Sequence, residues 1–224
     1  MSSLSEKESE ELIFWTKHSV FAKKASERGK PSKRVYNKYL DILSEPAGNL
    51  RGKTIIDVGC GPMGTMHFFP GSLKVGLDPL ALHYQNAFDL VRHQDMQYIA
   101  ARAENIPVAD EVADYVFCVN AIDHVDDPRA VAAELTRVLK PGGKLLIQVE
   151  INKPSPTTSE PHVLSPEVLD DMFASRFVSE KSRTLWSHRK WWMRRRWWFT
   201  DLIGFYPRYH DIFIVSYRKK LHRD

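Results

Sequence analysis

Strand and helix signals alternate along this 224-residue chain, and the alternation predicts a doubly wound α/β fold. The expected core is a seven-stranded sheet covered on both faces, with two helices ahead of it and a helical insertion before the last strand. Three observations carry this. An apolar run, Thr54–Val58, leads straight into glycines at 59, 61 and 64. A second apolar run, Leu73–Leu77, ends in an acid, Asp78. Further on, Asp127-Pro128 supplies an N-cap and a first-turn proline, and Pro141-Gly142-Gly143 closes the helix so opened.

The elements follow in order. Ser5 and Glu8 have capping-box spacing and open a helix that should run to about Ser26. Gly29 and Pro31 break it, and a second helix is expected over Ser32–Ser44. Strand 54–58, a short helix over 63–69, strand 73–77, a helix over 79–91 and strand 97–101 come next. Strand 115–119, a helix over 128–139 and strand 144–150 continue the alternation. Ser165-Pro166-Glu167 opens a helix to about Ala174, and strands near 177–186 and 210–218 finish the chain.

In an open α/β sheet, ligands bind outside the carboxyl ends of the strands where strand order reverses. Gly59, Gly61 and Gly64 there let the chain turn with positive φ and let a ligand approach the backbone. Asp78, followed by Pro79, falls at the tip of the neighbouring strand, where a carboxylate can take both hydroxyls of a ribose. The glycines spell GxGxxG and the acid lies nineteen residues past the first, which also fits a dinucleotide site. A pyrophosphate, however, would meet Asp57, two residues before Gly59, and Pro62 removes an amide from the loop. A carboxylate at Asp57 suits a cationic ligand, an amino group or a sulfonium; its other reading is an acid that serves only the turn. S-adenosylmethionine fits every feature, and hydride chemistry with NAD comes second.

The stretches IIDVGCGPMG, VGLDP, ARAENIPVADEVADYVFCVNAIDHVDDP and LKPGGKLLI resemble, in order and spacing, successive motifs of the class I S-adenosylmethionine-dependent methyltransferases. The resemblance is close over residues 50–151 and looser beyond. It implies a Rossmann-like methyltransferase fold whose mostly parallel sheet takes an antiparallel last strand from a hairpin, with N-terminal helices lying over the ligand cleft. On that reading residues 1–50 form a helical cap and residues 51–224 the methyltransferase domain, with 187–209 as a substrate-side insertion.

The resemblance also implies that the backbone amide of Ala103 reads the adenine edge. Where relatives often carry an acid this chain has Arg102, so that contact falls either to Glu104 or to solvent, and Glu104 reads equally well as a loop charge. Asn120 ends the fourth strand at the cleft mouth, where its amide or carbonyl can face the methionine part of the cofactor; its other reading is a strand-end turn residue. His124 is the titratable group expected nearest the cofactor and the candidate general base, against a reading as a packing or helix-entry residue. His162, in SEPHVLSPE, is the second choice. Methyl transfer also proceeds by proximity and in-line orientation alone. The chain lacks an NPPY-like motif and a Pro-Cys nucleophile, which weighs against nucleobase methylation.

Bulk properties bound the remainder. Hydrophobic content of 43% and charged content of 27% are those of a soluble globular protein, no apolar run approaches a membrane span, and the N-terminus is no signal peptide. Cys60 and Cys118 form no metal spacing and no expected disulfide, so a cytoplasmic, metal-free protein is expected. The basic excess is local: from Trp186 on there are ten Lys/Arg against three acids, whereas residues 51–185 carry thirteen against eighteen. Within 186–199 five of the six tryptophans interleave with Arg189, Lys190 and Arg194–Arg196. Such a segment can stack on bases, lie at a membrane surface or wall the pocket of an anionic acceptor; it also reads as an insertion whose tryptophans pack on the core. Wound as a helix, Trp191, Trp198 and Leu202 share a face that Arg195 interrupts, which argues against an amphipathic anchor. The resulting expectation is methyl transfer, with oxygen as the first choice of atom, to a small-molecule or lipid-linked acceptor. The alternatives are a nucleic-acid methyltransferase, an NAD-dependent oxidoreductase and a non-catalytic partner subunit. The oligomeric state is open.

Overall fold

A computed structural model describes residues 4–17, 33–46, 49–62, 69, 73–88, 96–152, 156–185 and 211–221. In chain order these hold α1 (Glu6–Lys17), α2 (Lys33–Leu43), β1 (Thr54–Val58), β2 (Leu73–Leu77), α3 (Ala81–Phe88), β3 (Met96–Ile99) and β4 (Ala113–Val119). Then follow α4 (Pro128–Val138), β5 (Leu139–Ile151), α5 (Pro166–Phe173), β6 (Phe177–Leu185) and β7 (Asp211–Lys219). Gly64, the expected helix over 63–69 apart from Phe69, the end of the first helix and the whole Trp/Arg segment lie outside the described residues.

One seven-stranded sheet runs β3-β2-β1-β4-β5-β7-β6. β1 pairs in parallel with both β2 and β4, so strand order reverses at β1/β4 and a crevice opens beyond their carboxyl ends. β7 runs antiparallel between β5 and β6, the hairpin insertion expected from the resemblance.

Side chains alternate across the sheet as the pleat requires. Ile56 and Val58 of β1, Val116 and Cys118 of β4 and Leu145 and Ile147 of β5 join one core with Val131, Leu135 and Val138 of α4 and Leu169 and Phe173 of α5. Ile55, Tyr115, Phe117, Leu146 and Ile214 face the other way and pack with Tyr39, Leu40, Ile42 and Leu43 of α2. This corrects one expectation: α2 is a core-layer helix on the sheet, and α1 is the N-terminal helix that reaches the carboxyl ends of the strands. The two cysteines are free and buried, one in each core.

Local signals place several boundaries. Ser5 Oγ accepts the Glu8 amide at 3.2 Å while Glu8 Oε2 accepts the Ser5 amide at 2.8 Å, so the capping box forms as read. Asp127 Oδ1 accepts the amides of Arg129 and Ala130 and starts α4, with Pro128 in its first turn. Pro141-Gly142-Gly143 was expected to end that helix. The helix instead stops at Val138, and β5 begins at Leu139, opposite Ala113. A register irregularity between Ala113 and Tyr115 absorbs the Pro-Gly-Gly stretch, with Gly142 at φ 74°. Among the described residues no helix is long and apolar enough to cross a membrane.

Candidate active site at the carboxyl ends of the strands

The crevice is floored by the turn after β1. Gly59 and Gly61 both take positive φ, 68° and 57°, the left-handed region that glycine enters without a Cβ clash. At Gly59 space is the sharper constraint: a Cβ there would meet the Ala121 Cβ at 2.3 Å, so the loops after β1 and β4 touch backbone to side chain. Gly59 and Cys60 donate their amides to Leu77 O at 2.7 and 3.1 Å, and Asp78 N donates to Ile99 O at 3.1 Å. The tips of β1, β2 and β3 are thereby knitted into one rim.

Asp78 sits on that rim, 8% exposed. Its Oδ2 accepts the Gly61 amide and its Oδ1 the Leu80 amide, both at 2.9 Å. A carboxylate has about four lone-pair sites, so each oxygen retains capacity for a further donor. Burial pushes the carboxyl up to about 6, against the pull of those two amides; the Glu11 charge adds to the push and His124 opposes it. Asp57 lies at the penultimate position of β1, fully buried on the face shared with Ile55, and its charge helps burial raise the Tyr39 hydroxyl. Pro79 is exposed beside Asp78.

Around the far side of the crevice, Ala103 is buried near the start of the loop after β3. Glu104 turns toward α4, where its Oε1 accepts the amides of Asp126 and Asp127 at 2.7 and 3.3 Å. Arg102 pairs with Glu8 at 2.9 Å and with Asp126. Asn120 holds φ 54° at the tip of β4 and donates its amide to Gln148 O at 2.7 Å. Asparagine enters that left-handed region more readily than most side-chain-bearing residues, so the chain can turn at the strand tip without a glycine.

Helix α1 lies across the crevice. Leu4, Leu12 and Trp15 pack against Leu80 and Tyr84, and a Cβ on Gly61 would sit 3.8 Å from Trp15 Cζ2. Lys7 pairs with Asp126, and Glu8 with Arg102. These contacts place the inner face of α1 over the rim acid Asp78.

His124 is the meeting point of three segments. Glu11 of α1 stands 3.9 Å from its Nδ1, while Asp123 and Glu160 stand 4.0 and 3.8 Å from its Nε2. Glu11 is aimed by the Trp15 indole, which donates to its Oε1 at 2.7 Å. His162 Nε2 lies 3.0 Å from Val125 O; a carbonyl only accepts, so that nitrogen carries the proton, and the segment 160–164 is tied to the His124 loop. The structure thus brings Asp57, Gly59, Gly61, Asp78, Asn120 and His124 to one crevice. It sets His162 behind the His124 loop and turns Glu104 to brace α4.

Sequence reasoning missed Glu11, Asp123 and Glu160. Asp123 had a signal, being next to His124, and Glu160 precedes His162 by two residues. Glu11 had none, since it reads as one charge on a polar helix.

A cofactor with a ribose and a cationic centre fits these residues: glycines that leave the backbone open, a buried rim carboxylate with spare lone pairs, and a second buried acid beneath the loop. The family model described as "Methyltransferase domain" matches residues 56–147, from β1 into β5. The ubiquinone biosynthesis O-methyltransferase of Sodalis glossinidius (strain morsitans) is 32% identical over 126 residues, covering 52% of this chain and 49% of that protein. The malonyl-[acyl-carrier protein] O-methyltransferase of Hahella chejuensis is 38% identical over 103 residues, covering 41% of this chain and 34% of that one. The chain therefore spans about half the length of the first of these relatives and about a third of the second. Among solved structures, the [4+2]-cyclase SpnF superposes with a TM-score of 0.63 at 17% identity, covering 83% of this chain and 82% of that one, which is a likeness of fold. Motifs, strand order and matched domain agree: residues 56–147 are similar to a methyltransferase domain, and the sheet has the Rossmann-like order of the class I S-adenosylmethionine-dependent methyltransferases that the motifs resemble.

Proposed function

We propose that this protein binds S-adenosylmethionine and methylates an oxygen of a small-molecule or lipid-linked acceptor, with His124 as the general base. The observation that carries the reading is the crevice at the strand-order reversal, where Gly59, Gly61, Asp57 and Asp78 meet under α1 within a matched methyltransferase domain. Relatives named as O-methyltransferases support oxygen as the acceptor atom. The NAD alternative has no support from the matched domain.

When bound, S-adenosylmethionine supplies a methyl group on a cationic sulfur. The residues of the chain do the rest. Asp78 would accept from the ribose hydroxyls, the Ala103 amide would read the adenine edge, and Asp57 and Asn120 would hold the amino-acid end. Gly59 and Gly61 keep the floor clear of side chains. Helix α1 excludes water over the rim, which strengthens each polar contact beneath it. His124 would take the proton of the acceptor hydroxyl as its oxygen bonds to the methyl carbon. Glu104 serves this site indirectly, by bracing the loop between His124 and α4. The Trp/Arg segment is proposed to shape the acceptor pocket and to meet an anionic group there.

Two measurements test this. Calorimetry should find S-adenosylmethionine and its demethylated product bound and NAD ignored; the reverse result ends the reading. A screen with methyl-labelled cofactor against hydroxyl, carboxyl and thiol acceptors should label a hydroxyl. His124→Ala should then lower turnover by about 10²–10⁴-fold with cofactor affinity kept, and a loss under threefold would remove it as the base.

A further inference from the structure

We infer that Glu160 is a positioning residue for His124: its carboxylate holds the buried Nε2 edge of the imidazole, leaving Nδ1 on the cleft side to receive the acceptor's proton. The inference rests on the general-base reading above and adds a residue that neither the motifs nor the matched domain, which ends at residue 147, contains.

Geometry separates the two ring nitrogens. His124 Nε2 is shielded from solvent and has no hydrogen-bond partner, while the ring as a whole is 22% exposed. The other ring nitrogen, Nδ1, faces α1, 3.9 Å from Glu11. Nε2 points inward, to Glu160 Oε1 at 3.8 Å and Asp123 Oδ1 at 4.0 Å. A buried N–H with no acceptor costs about 1–3 kcal/mol, so a shift of under about 1 Å that closes one of these gaps is favoured. Hydrogen bonds of catalytic groups are often long before the ligand arrives and tighten afterwards.

Glu160 is the better placed acid. It comes from a different segment than the ring it serves, and that segment is anchored twice. Thr157 N donates to Glu160 O at 2.9 Å and Glu160 N donates to Thr157 Oγ1 at 3.1 Å, closing a turn. Two residues later His162 grips Val125 O, and Leu164 is buried in the core. Glu160 is itself 9% exposed. A carboxylate carried on a backbone fixed in this way selects the tautomer with the proton on Nε2 and stabilises the imidazolium once Nδ1 has taken a second proton.

The test uses the full chain with ¹⁵N-labelled histidine, His124 being assigned by the resonance lost in His124→Ala. The wild-type ring should carry its proton on Nε2. Glu160→Leu should give a mixture of tautomers, and the isosteric Glu160→Gln, whose amide oxygen still accepts, should keep the Nε2 proton. With the hydroxyl acceptor from the labelled-methyl screen, Glu160→Leu should lower kcat about 10–100-fold, the usual loss for a carboxylate that orients a functional imidazole, with KM and S-adenosylhomocysteine affinity within about twofold. In a His124→Ala background the same change should alter kcat by less than about twofold. A wild-type proton on Nδ1, a tautomer that responds to Asp123→Asn and not to Glu160→Leu, or an equal kcat loss in the His124→Ala background would each overturn the assignment. If Glu160→Leu does not fold, Glu160→Gln decides: its kcat should fall about tenfold with the tautomer kept, and a kcat at the wild-type value would overturn the role. Should His124→Ala leave turnover intact, the general-base reading fails, and the spectra still decide whether Glu160 fixes the ring.

Discussion

The two ends of the parallel strands treat their acids in opposite ways. At the amino ends, carboxylates meet cations. Asp114 lies 3.0 Å from Lys140 and 3.9 Å from Lys53, and accepts the Thr54 amide at 2.9 Å. Glu45 lies 2.8 Å from Lys144, which also donates to Leu43 O at 2.6 Å and pairs with Glu180 at 3.3 Å. Burial works upward on both Glu45 and Asp114, yet their hydrogen bonds and cations win, and both carboxyls fall below their ordinary value. At the carboxyl ends Asp78 is held by backbone amides, burial wins, and its carboxyl rises to about 6. One end satisfies charge within the fold; the other keeps an acid costly to ionise until a ligand supplies donors. The first arrangement suits stability; the second is the one we propose for binding.

Lys144→Met is the strongest attempt to break that division. Removing the buried lysine leaves Glu45 short of a cation, while Glu180 keeps Arg218, and should cost about 3 kcal/mol of unfolding free energy in urea titrations. S-adenosylmethionine affinity should stay within about twofold. A large affinity loss in a folded protein would show that the two ends are coupled.

Asp78→Ala should do the converse. Cofactor affinity should fall by about 1.5–3 kcal/mol, the worth of hydrogen bonds to a charged group, with the fold retained because the residue lies on the rim. An unchanged dissociation constant by calorimetry would remove the ribose role.

The same residue sharpens the comparison through pH. Its folded carboxyl, near 6, lies above the ordinary value of 3.8, so the folded state binds the proton more tightly than the unfolded state. The stability this gives the unliganded protein is complete below the unfolded value and is lost as pH rises through the folded one. Wild type should lose up to about 3 kcal/mol between pH 4 and pH 7 relative to Asp78→Asn, measured by urea unfolding across that range. Parallel curves for the two proteins would place the raised carboxyl elsewhere.

Arg102→Gln should give the smallest effect. The arginine is 46% exposed and links Glu8 of α1 to Asp126, and a surface pair of this kind is worth at most about 1 kcal/mol. Its stability difference should vanish in about 1 M salt. A larger effect that survives salt would mean that α1 is clamped by more than charge.

Legibility in the sequence followed the range of the interaction. The capping box at Ser5–Glu8, the Asp127 N-cap and the Gly59/Gly61 turn lie within a few residues of chain, and each was read correctly. Pro141-Gly142-Gly143 misled because these residues usually stop an element, whereas cross-strand pairing of Leu139 with Ala113 carries the strand through them. The place of α2 was missed because its core face is defined by a sheet built from later segments. Glu11 and Glu160 stand more than a hundred and about forty residues from His124, and no local pattern marks an acid that will arrive from so far.

The two buried thiols turn this molecule into its own clock. Burial raises both, with Asp78 and Asp57 adding to it at Cys60 and Asp123 and Asp57 at Cys118, so neither presents thiolate to a labelling reagent while its shelter is closed. Cys118 lies inside β4, in the centre of the sheet, and is reached only when the whole fold opens. Cys60 lies in the turn beneath the cofactor crevice, so opening of that turn alone exposes it. The ratio of their alkylation rates therefore separates local breathing of the crevice from global unfolding in a single sample. A ligand that seals the crevice should slow the first thiol well before it slows the second.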